Sequence, residues 1–357
     1  MSLSKKIDEF LSLNGPAALV IREHLTPVEG EDGVLFPPTY AAQKSGEPGG
    51  YNIDTDAQGQ SICLIDSVGA QANRIEPMFE EEPYSSLVPQ IVVKAGEKEV
   101  SIFEAGHRAG DALVRCSELQ QTLQDAFKSV LKGDAEPLAK IAPTSLVFGV
   151  WDSRDTQAKL PRIIGSTIRA YDVSRLKRSA QFNPATEYVN EGLLPEPADK
   201  TAKDAFAERG FIHVPATGSH GGIIAHGGIR RDATLALTAI RRLFAGKDDA
   251  KTLKLRRYIL GLSLVAFTKN PAGDLRQGCN LVLDPSKPRE FVEVLPTGER
   301  KPVTFTHEDA LAFAQQAAHD FGVGESRVVP FDKQRALKDV SPKDKEEKKS
   351  KPKAAKS

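Results

Sequence analysis

The 357-residue chain carries 48 Lys+Arg against 48 Asp+Glu, with 40% apolar and 6% aromatic residues, so it can bury a sizeable core without a disulfide or metal staple. Cys63, Cys116 and Cys279 lie far apart with no CxxC spacing, which excludes a disulfide framework and argues against structural zinc. No apolar leader or membrane-length run is present, Leu264–Phe267 being typical of the longest, so the chain reads as soluble, cytoplasmic and without a membrane partner.

In chain order, Ala17–Leu25 and Ser61–Ile65 read as strands separated by a turn-rich stretch with PP and GG dipeptides. Asp66 or Ser67 caps a helix to about Phe79, with Val68, Ala72, Ile75 and Phe79 on one stripe. Gln90–Lys94 and Glu99–Phe103 form a hairpin, and a helix covers Leu119–Leu131. Ser145–Trp151 and Arg162–Val173 are predicted strands flanking the polar loop DSRDTQAKLP. Ser179–Ala202 reads as an irregular excursion, followed by a Gly/His-rich loop TGSHGGIIAHGGIRR. After Asp232, the spacing of Ala233, Ala236, Leu237, Ile240, Leu243 and Phe244 predicts a helix. A second helix covers Asp249–Phe267, Asn280–Leu283 and Arg289–Leu295 pair as strands, and His307–Phe321 is helical. Hairpins mixed with crossovers predict an α+β fold. The run SPKDKEEKKSKPKAAKS cannot bury a core and reads as a disordered Lys-rich C-terminal tail.

The charge balances in total but not in place. Residues 1–150 hold 12 basic and 22 acidic side chains, whereas residues 151–270 hold 20 and 12. Within Arg154–Arg178, seven basic residues face two acidic ones. Such a chain can bind a polyanion on one surface, or stack head to tail on copies of itself; it can also simply be solvated.

Alternation in Arg162–Val173 puts Thr167, Arg169, Tyr171 and Val173 on one face, and a guanidinium beside an aromatic ring suits a phosphate contact next to base stacking. An ordinary strand would look similar, because the RNP1 pattern is absent. Around the Gly-rich segment stand His213, His220, His226, Arg230 and Arg231. It lacks GK[ST] and GxGxxG, which disfavours ATP and NAD, and its histidines lack the regular carboxylates or HExxH of a metal site. No cofactor is called for. No GxSxG is present, and Asp152 and Asp155 around Arg154 suit a turn better than acid–base cleavage of RNA.

Five segments together resemble one family: DSVGAQANRIE, EAGHRAGDALVR, VFGVWDSRDTQAKLPRIIGSTIRAYDV, GGIIAHGGIRRDATLAL and LRRYILGLSLVA…LRQGCNLVL. Their order and content are similar to the backbone subunit of type I-G (formerly I-U) CRISPR surveillance complexes, of the RAMP superfamily. The resemblance implies a modified RRM-like (ferredoxin-like) core with finger and thumb insertions: a single domain over residues 1–335, with about 26–60 and 174–230 peripheral and a basic tail over 336–357. It implies a non-catalytic role in antiviral defence, in which copies stack in a helical filament along the spacer of a CRISPR RNA and present it to a target DNA strand. Other complex subunits and a recruited helicase-nuclease are the further partners. The alternative is a metal-dependent RAMP ribonuclease cutting RNA through a loop aspartate, Asp152 or Asp155. RNA contact carries over to Asn73, Arg74, Arg108, Lys159, Arg162, Arg169, His220, Arg230 and Arg231. The cationic patch adds Tyr171, Arg175, Lys177 and Arg178.

Overall fold

The computed structural model describes residues 3–42, 49–269 and 273–340. Nine of its elements carry the argument: β1 (Ala18–Pro27), β2 (Ser61–Asp66), α1 (Val68–Ile75), β3 (Ile164–Tyr171), β4 (Val173–Phe182), β5 (Val214–Ala225), β6 (Ile229–Ala236), α2 (Asp249–Thr268) and β7 (Glu290–Val294).

The fold is α+β. Its central sheet runs β7–β1–β6–β3–β2, every neighbouring pair antiparallel. Leaving β2 aside as an added edge, the chain visits β1, a helical segment, β3, β6, α2 and β7. That is the β-α-β-β-α-β order of a ferredoxin-like core, with the last strand beside the first. A tight turn would normally join β3 to β6. Here the long hairpin β4–β5 and the residues between its strands fill that link.

Alternation along β1 sets the two faces of the sheet. Leu19, Ile21, Glu23 and Leu25 are buried on one side, while Val20, Arg22, His24 and Thr26 stay partly accessible on the other. Helix α1 covers the buried face, where Ser166 Oγ of β3 donates to Gln71 Oε1 at 2.8 Å. Ser67 caps α1 by accepting from the Ala70 amide, and the chain continues as a 3-10 turn over Glu76–Glu80, so the predicted helix to Phe79 is one helix and one tighter turn. Helix α2 is buried for most of its length, as expected of a helix enclosed on all sides. Tyr258 in its centre stacks on Phe321 with centroids 4.5 Å apart and donates its hydroxyl to the Leu87 carbonyl.

Two apolar clusters line the buried face, one around Leu19, Ile21, Leu235 and α2, the other around Leu25, Cys63, Ile168, Ile223 and Cys279. Between them lies a polar layer built from Glu23, Arg231, Asp66, Gln71 and Ser166. The three cysteines are buried and unpaired, and burial pushes the Cys63 thiol up to about 12.

Four expectations are corrected. Ser145–Trp151 is a helical turn over Pro143–Phe148, all six residues buried, followed by a two-residue strand Val150–Trp151; an all-apolar run has no period to tell the two apart. The Gly/His-rich stretch is a strand, β5, with two register shifts against β4, closed by a turn at His226–Gly228. The helix expected after Asp232 is β6, with only Leu237–Ile240 helical, because Ile229, Arg231, Ala233 and Leu235 alternate into the core. The strands Cys279–Leu283 and β7 do not pair with each other; each pairs with a different end of β1. Residues 336–340 of the expected tail lie in a helix, Lys333–Val340, and the rest of the tail lies outside the described residues.

Candidate nucleic-acid interface

Cross-strand register brings cations together on the half-accessible face of the sheet. His24 of β1 lies opposite Arg230 of β6, and Arg230 lies opposite Arg169 of β3. One row therefore holds three groups that are or can become positive. Like charges directly opposite each other weaken a sheet, so this row costs stability unless an anion joins it. The next row supplies two carboxylates: Asp232 takes Arg22 Nε at 3.1 Å and Arg230 Nε at 2.9 Å, and Glu290 of β7 lies 3.8 Å from Arg22 Nη1. Arg169 is left with Thr167, whose hydroxyl accepts from Nη1 at 2.7 Å.

Tyr171 lies two residues along β3 on the same face. Arg230 stacks over its ring at 4.9 Å and donates Nη2 to the phenol oxygen at 3.0 Å. Beside them opens a cavity of about 270 Å³ lined by His24, Gln60, Tyr171, Gly227, Gly228, Ile229 and Arg230. Burial lowers the His24 pKa first, and Lys287, Arg230 and Arg22 lower it further against the pull of Asp284.

The hairpin continues the cationic surface beyond the corner at Asp172, whose φ is 49°. Arg175, Lys177 and Arg178 are exposed on β4. His220 of β5 faces Lys177 across the hairpin, accepts through Nδ1 from Arg175 Nη2 at 3.3 Å, and packs on Tyr51. His213 instead binds Glu187 and Asn183, and His226 binds Ser174, so the three histidines have separate partners. Among the described residues, no group of three or more His, Cys, Asp or Glu is placed to hold a metal ion.

A third group surrounds α1 at the far end of β3. Asn73 and Arg74 are exposed on the helix; Arg74 Nε holds the buried Asp66 at 3.1 Å. Arg162 is exposed, while Lys159 lies 5.3 Å from the centroid of the Trp151 ring. These residues do not share a surface with the Arg169 row, because α1 covers the opposite face of the sheet.

Two expected contacts point inward. Arg108 is 3% exposed, has φ 54°, and pairs with Glu76 at 2.5 Å beneath Asn73 and the Gly149 carbonyl. Burial pushes the Glu76 carboxyl up to about 7 against the pull of Arg108. Arg231 is 2% exposed and pairs with Glu23 at 2.5 Å. Both guanidiniums hold the scaffold together from inside, so neither is available to a ligand outside. Conversely, Arg22 and His24 belong to the cationic face and were not singled out from the sequence. The alternation in AALVIREHL, with Leu19, Ile21 and Leu25 apolar, was the signal that places them there.

The seven cations of Arg154–Arg178 share one property. Among the described residues, Arg154, Lys159, Arg162, Arg169, Arg175, Lys177 and Arg178 have no carboxylate within ion-pair distance, whereas Arg22, Arg74, Arg108, Arg230 and Arg231 each have at least one. A surface that leaves its cations uncompensated is suited to a polyanion.

No curated protein gives a match to the chain. Residues 19–175 match the family model CRISPR-associated protein GSU0053. That span holds β1, β2, α1 and β3, with Arg22, His24, Arg169 and Tyr171, and over it the chain is similar to that CRISPR-associated family.

Proposed function

We propose that the chain is an RNA-binding backbone subunit of a CRISPR surveillance complex, without a catalytic role. Copies of it stack head to tail along the spacer of a CRISPR RNA and hold the guide for pairing with a target DNA strand. Other subunits complete the particle, and a recruited helicase-nuclease does the cutting. The observation that carries this reading is the set of uncompensated cations that continues from Arg169 on β3 onto Arg175, Lys177 and Arg178 of the hairpin. A subunit that grips every guide needs cations at intervals along the backbone and no base-edge code, since each spacer differs. The family match supports the CRISPR setting.

The ribonuclease reading is not favoured. Asp152 is buried, and its carboxylate accepts from the Asp155 amide, the Thr156 amide and the Thr156 hydroxyl, which braces the loop.

The test is anisotropy of labelled RNAs of unrelated sequence titrated with the full chain at rising KCl. The reading expects equal affinities that fall steeply with salt, and weaker binding by Arg175→Ala and Arg178→Ala. Affinity that hinges on one base, or that ignores salt, would contradict it.

A further inference from the structure

The only tryptophan of the chain stands outside the surface just described. Trp151 and Lys159 are directly opposed in a two-stranded ribbon, Val150–Trp151 with Lys159–Leu160. The inner pair, Val150 and Leu160, packs into the core, which turns the Trp151–Lys159 pair outward. The indole is 56% exposed, an unusual setting for the largest apolar side chain, and Lys159 Nζ is the cation at its face. The loop joining the two strands is held in shape by the buried Asp152 carboxylate, so the ring is presented from a braced turn. Lys159 and, in the joining turn, Arg154 are exposed and lack a carboxylate partner among the described residues, as does Arg162, whose Nη2 reaches toward Gly69 of α1. Arg162 follows three residues after Lys159 and runs beside Gly149, where a Cβ would meet its Cγ at 2.9 Å; the missing side chain is what lets the Arg162 stem lie against the backbone. An exposed aromatic plane with an unpaired cation at its face is a surface that single-stranded nucleic acid uses, with a base on the ring and phosphates on the cations. A protein partner would be met more readily by a wider apolar patch, and the neighbours here are cationic instead.

We propose that this ribbon is a second contact for single-stranded nucleic acid, in which one base stacks on Trp151 while Lys159, with Arg154 of the joining turn, holds the phosphates beside it. The site is separate from the Arg169–Arg230 row, which lies toward the far end of β3. It rests on the proposed nucleic-acid role but assigns a residue and a contact mode to that role.

The sole tryptophan supplies its own probe. The full chain, freed of nucleic acid, is titrated with a dye-labelled random-sequence RNA while indole emission and RNA anisotropy are followed together. The expected result is saturable quenching with the same midpoint as the anisotropy change. Trp151→Ala then weakens binding by about 5- to 150-fold, the range that one stacked base accounts for, and Trp151→Phe restores part of it. Circular dichroism of each variant confirms that the fold survives. RNA binding that leaves the emission unchanged, with Trp151→Ala binding as the parent does, would overturn the ribbon contact and leave the function proposed above standing. No RNA binding by any variant would overturn both. Emission that changes with protein concentration alone, without RNA, would assign the ribbon to protein–protein contact and overturn the proposal.

Discussion

At the scale of single residues, the cations divide by burial into two roles, and the division is testable. Arg169 is half-buried, opposite Arg230, and has only a hydroxyl partner. Arg169→Ala should leave stability within about 0.5 kcal/mol in urea unfolding, because it removes a like-charge neighbour as well as a side chain. In binding it should weaken all RNAs alike and lower the salt slope by about 1. Glu23→Ala should do the reverse. It strands Arg231 in the interior beside Arg289, at a cost of about 3–5 kcal/mol in unfolding, and any effect on RNA follows from the damaged sheet. His24 adds a pH signature. Its pKa is lowered in the free protein by burial and by Lys287, Arg230 and Arg22, so it is neutral near pH 7. A bound phosphate favours the protonated ring and raises that pKa, so binding takes up a proton and affinity increases as pH falls from 8 toward 6. The same lowered pKa makes the free fold lose stability over the acidic side of 6.5, since the unfolded chain binds the proton more readily. Affinities at pH 6 and pH 8 should differ for the parent and converge for His24→Gln.

At the scale of elements, the hairpin β4–β5 shows what was and was not legible. The Gly/His-rich run reads as a loop in the sequence because glycine suggests turns, yet it forms β5, where Gly221 and Gly222 serve close approach. Gly222 has φ +94°, and a Cβ there would stand 2.5 Å from Val34 Cγ1 and 2.7 Å from the Leu35 carbonyl oxygen. The neighbouring Ile223 exchanges both backbone hydrogen bonds with Leu35, at 2.9 and 2.7 Å. Gly222→Ala should therefore unseat residues 33–36 from the hairpin. Hydrogen exchange should show faster exchange at Leu35 and Ile223, with β1 and β6 still protected, and a stability loss of about 1–3 kcal/mol. The misread helix at β6 has a different cause: Ala233, Ala236, Leu237 and Ile240 satisfy a helical stripe, while Ile229, Arg231, Ala233 and Leu235 satisfy a strand. Only the pairing with β1 and β3 decides, and that pairing is not local. The helix α2 and the helix His307–Phe321 were legible because each is long and strongly apolar, and the latter starts at a capping box built from Thr306 and Asp309.

At the scale of the whole molecule, the α+β class was legible from the alternation of elements, whereas the route from β3 through the hairpin back to β6 was not, since no local signal announces an insertion inside a hairpin link. The cationic segment was visible as a charge count, but which cations are free depends on tertiary partners. Arg108 and Arg231 stood beside the others in the sequence and turned out to be buried ion pairs. The free set lies along a path of more than one face: Arg169 on the sheet, Arg175 to Arg178 on the hairpin, and Lys159 with Arg162 at the opposite end of β3. At about 3.3 Å per residue, the eight residues of β3 alone separate its ends by more than 20 Å. That length suits a chain-like ligand better than a small molecule. The acidic first 150 residues and the basic 151–270 segment also suit a heterologous contact between copies, which builds a helix where a ring does not close.

The most direct test of the central claim is to purify the full chain from cells that also express a CRISPR array and the companion subunits, and to size and sequence the RNA that comes with it. The account expects guide-length RNA of many spacer sequences, in a particle several times larger than one chain. A nucleic-acid-free particle of single-chain size, with the companion subunits present, would contradict it.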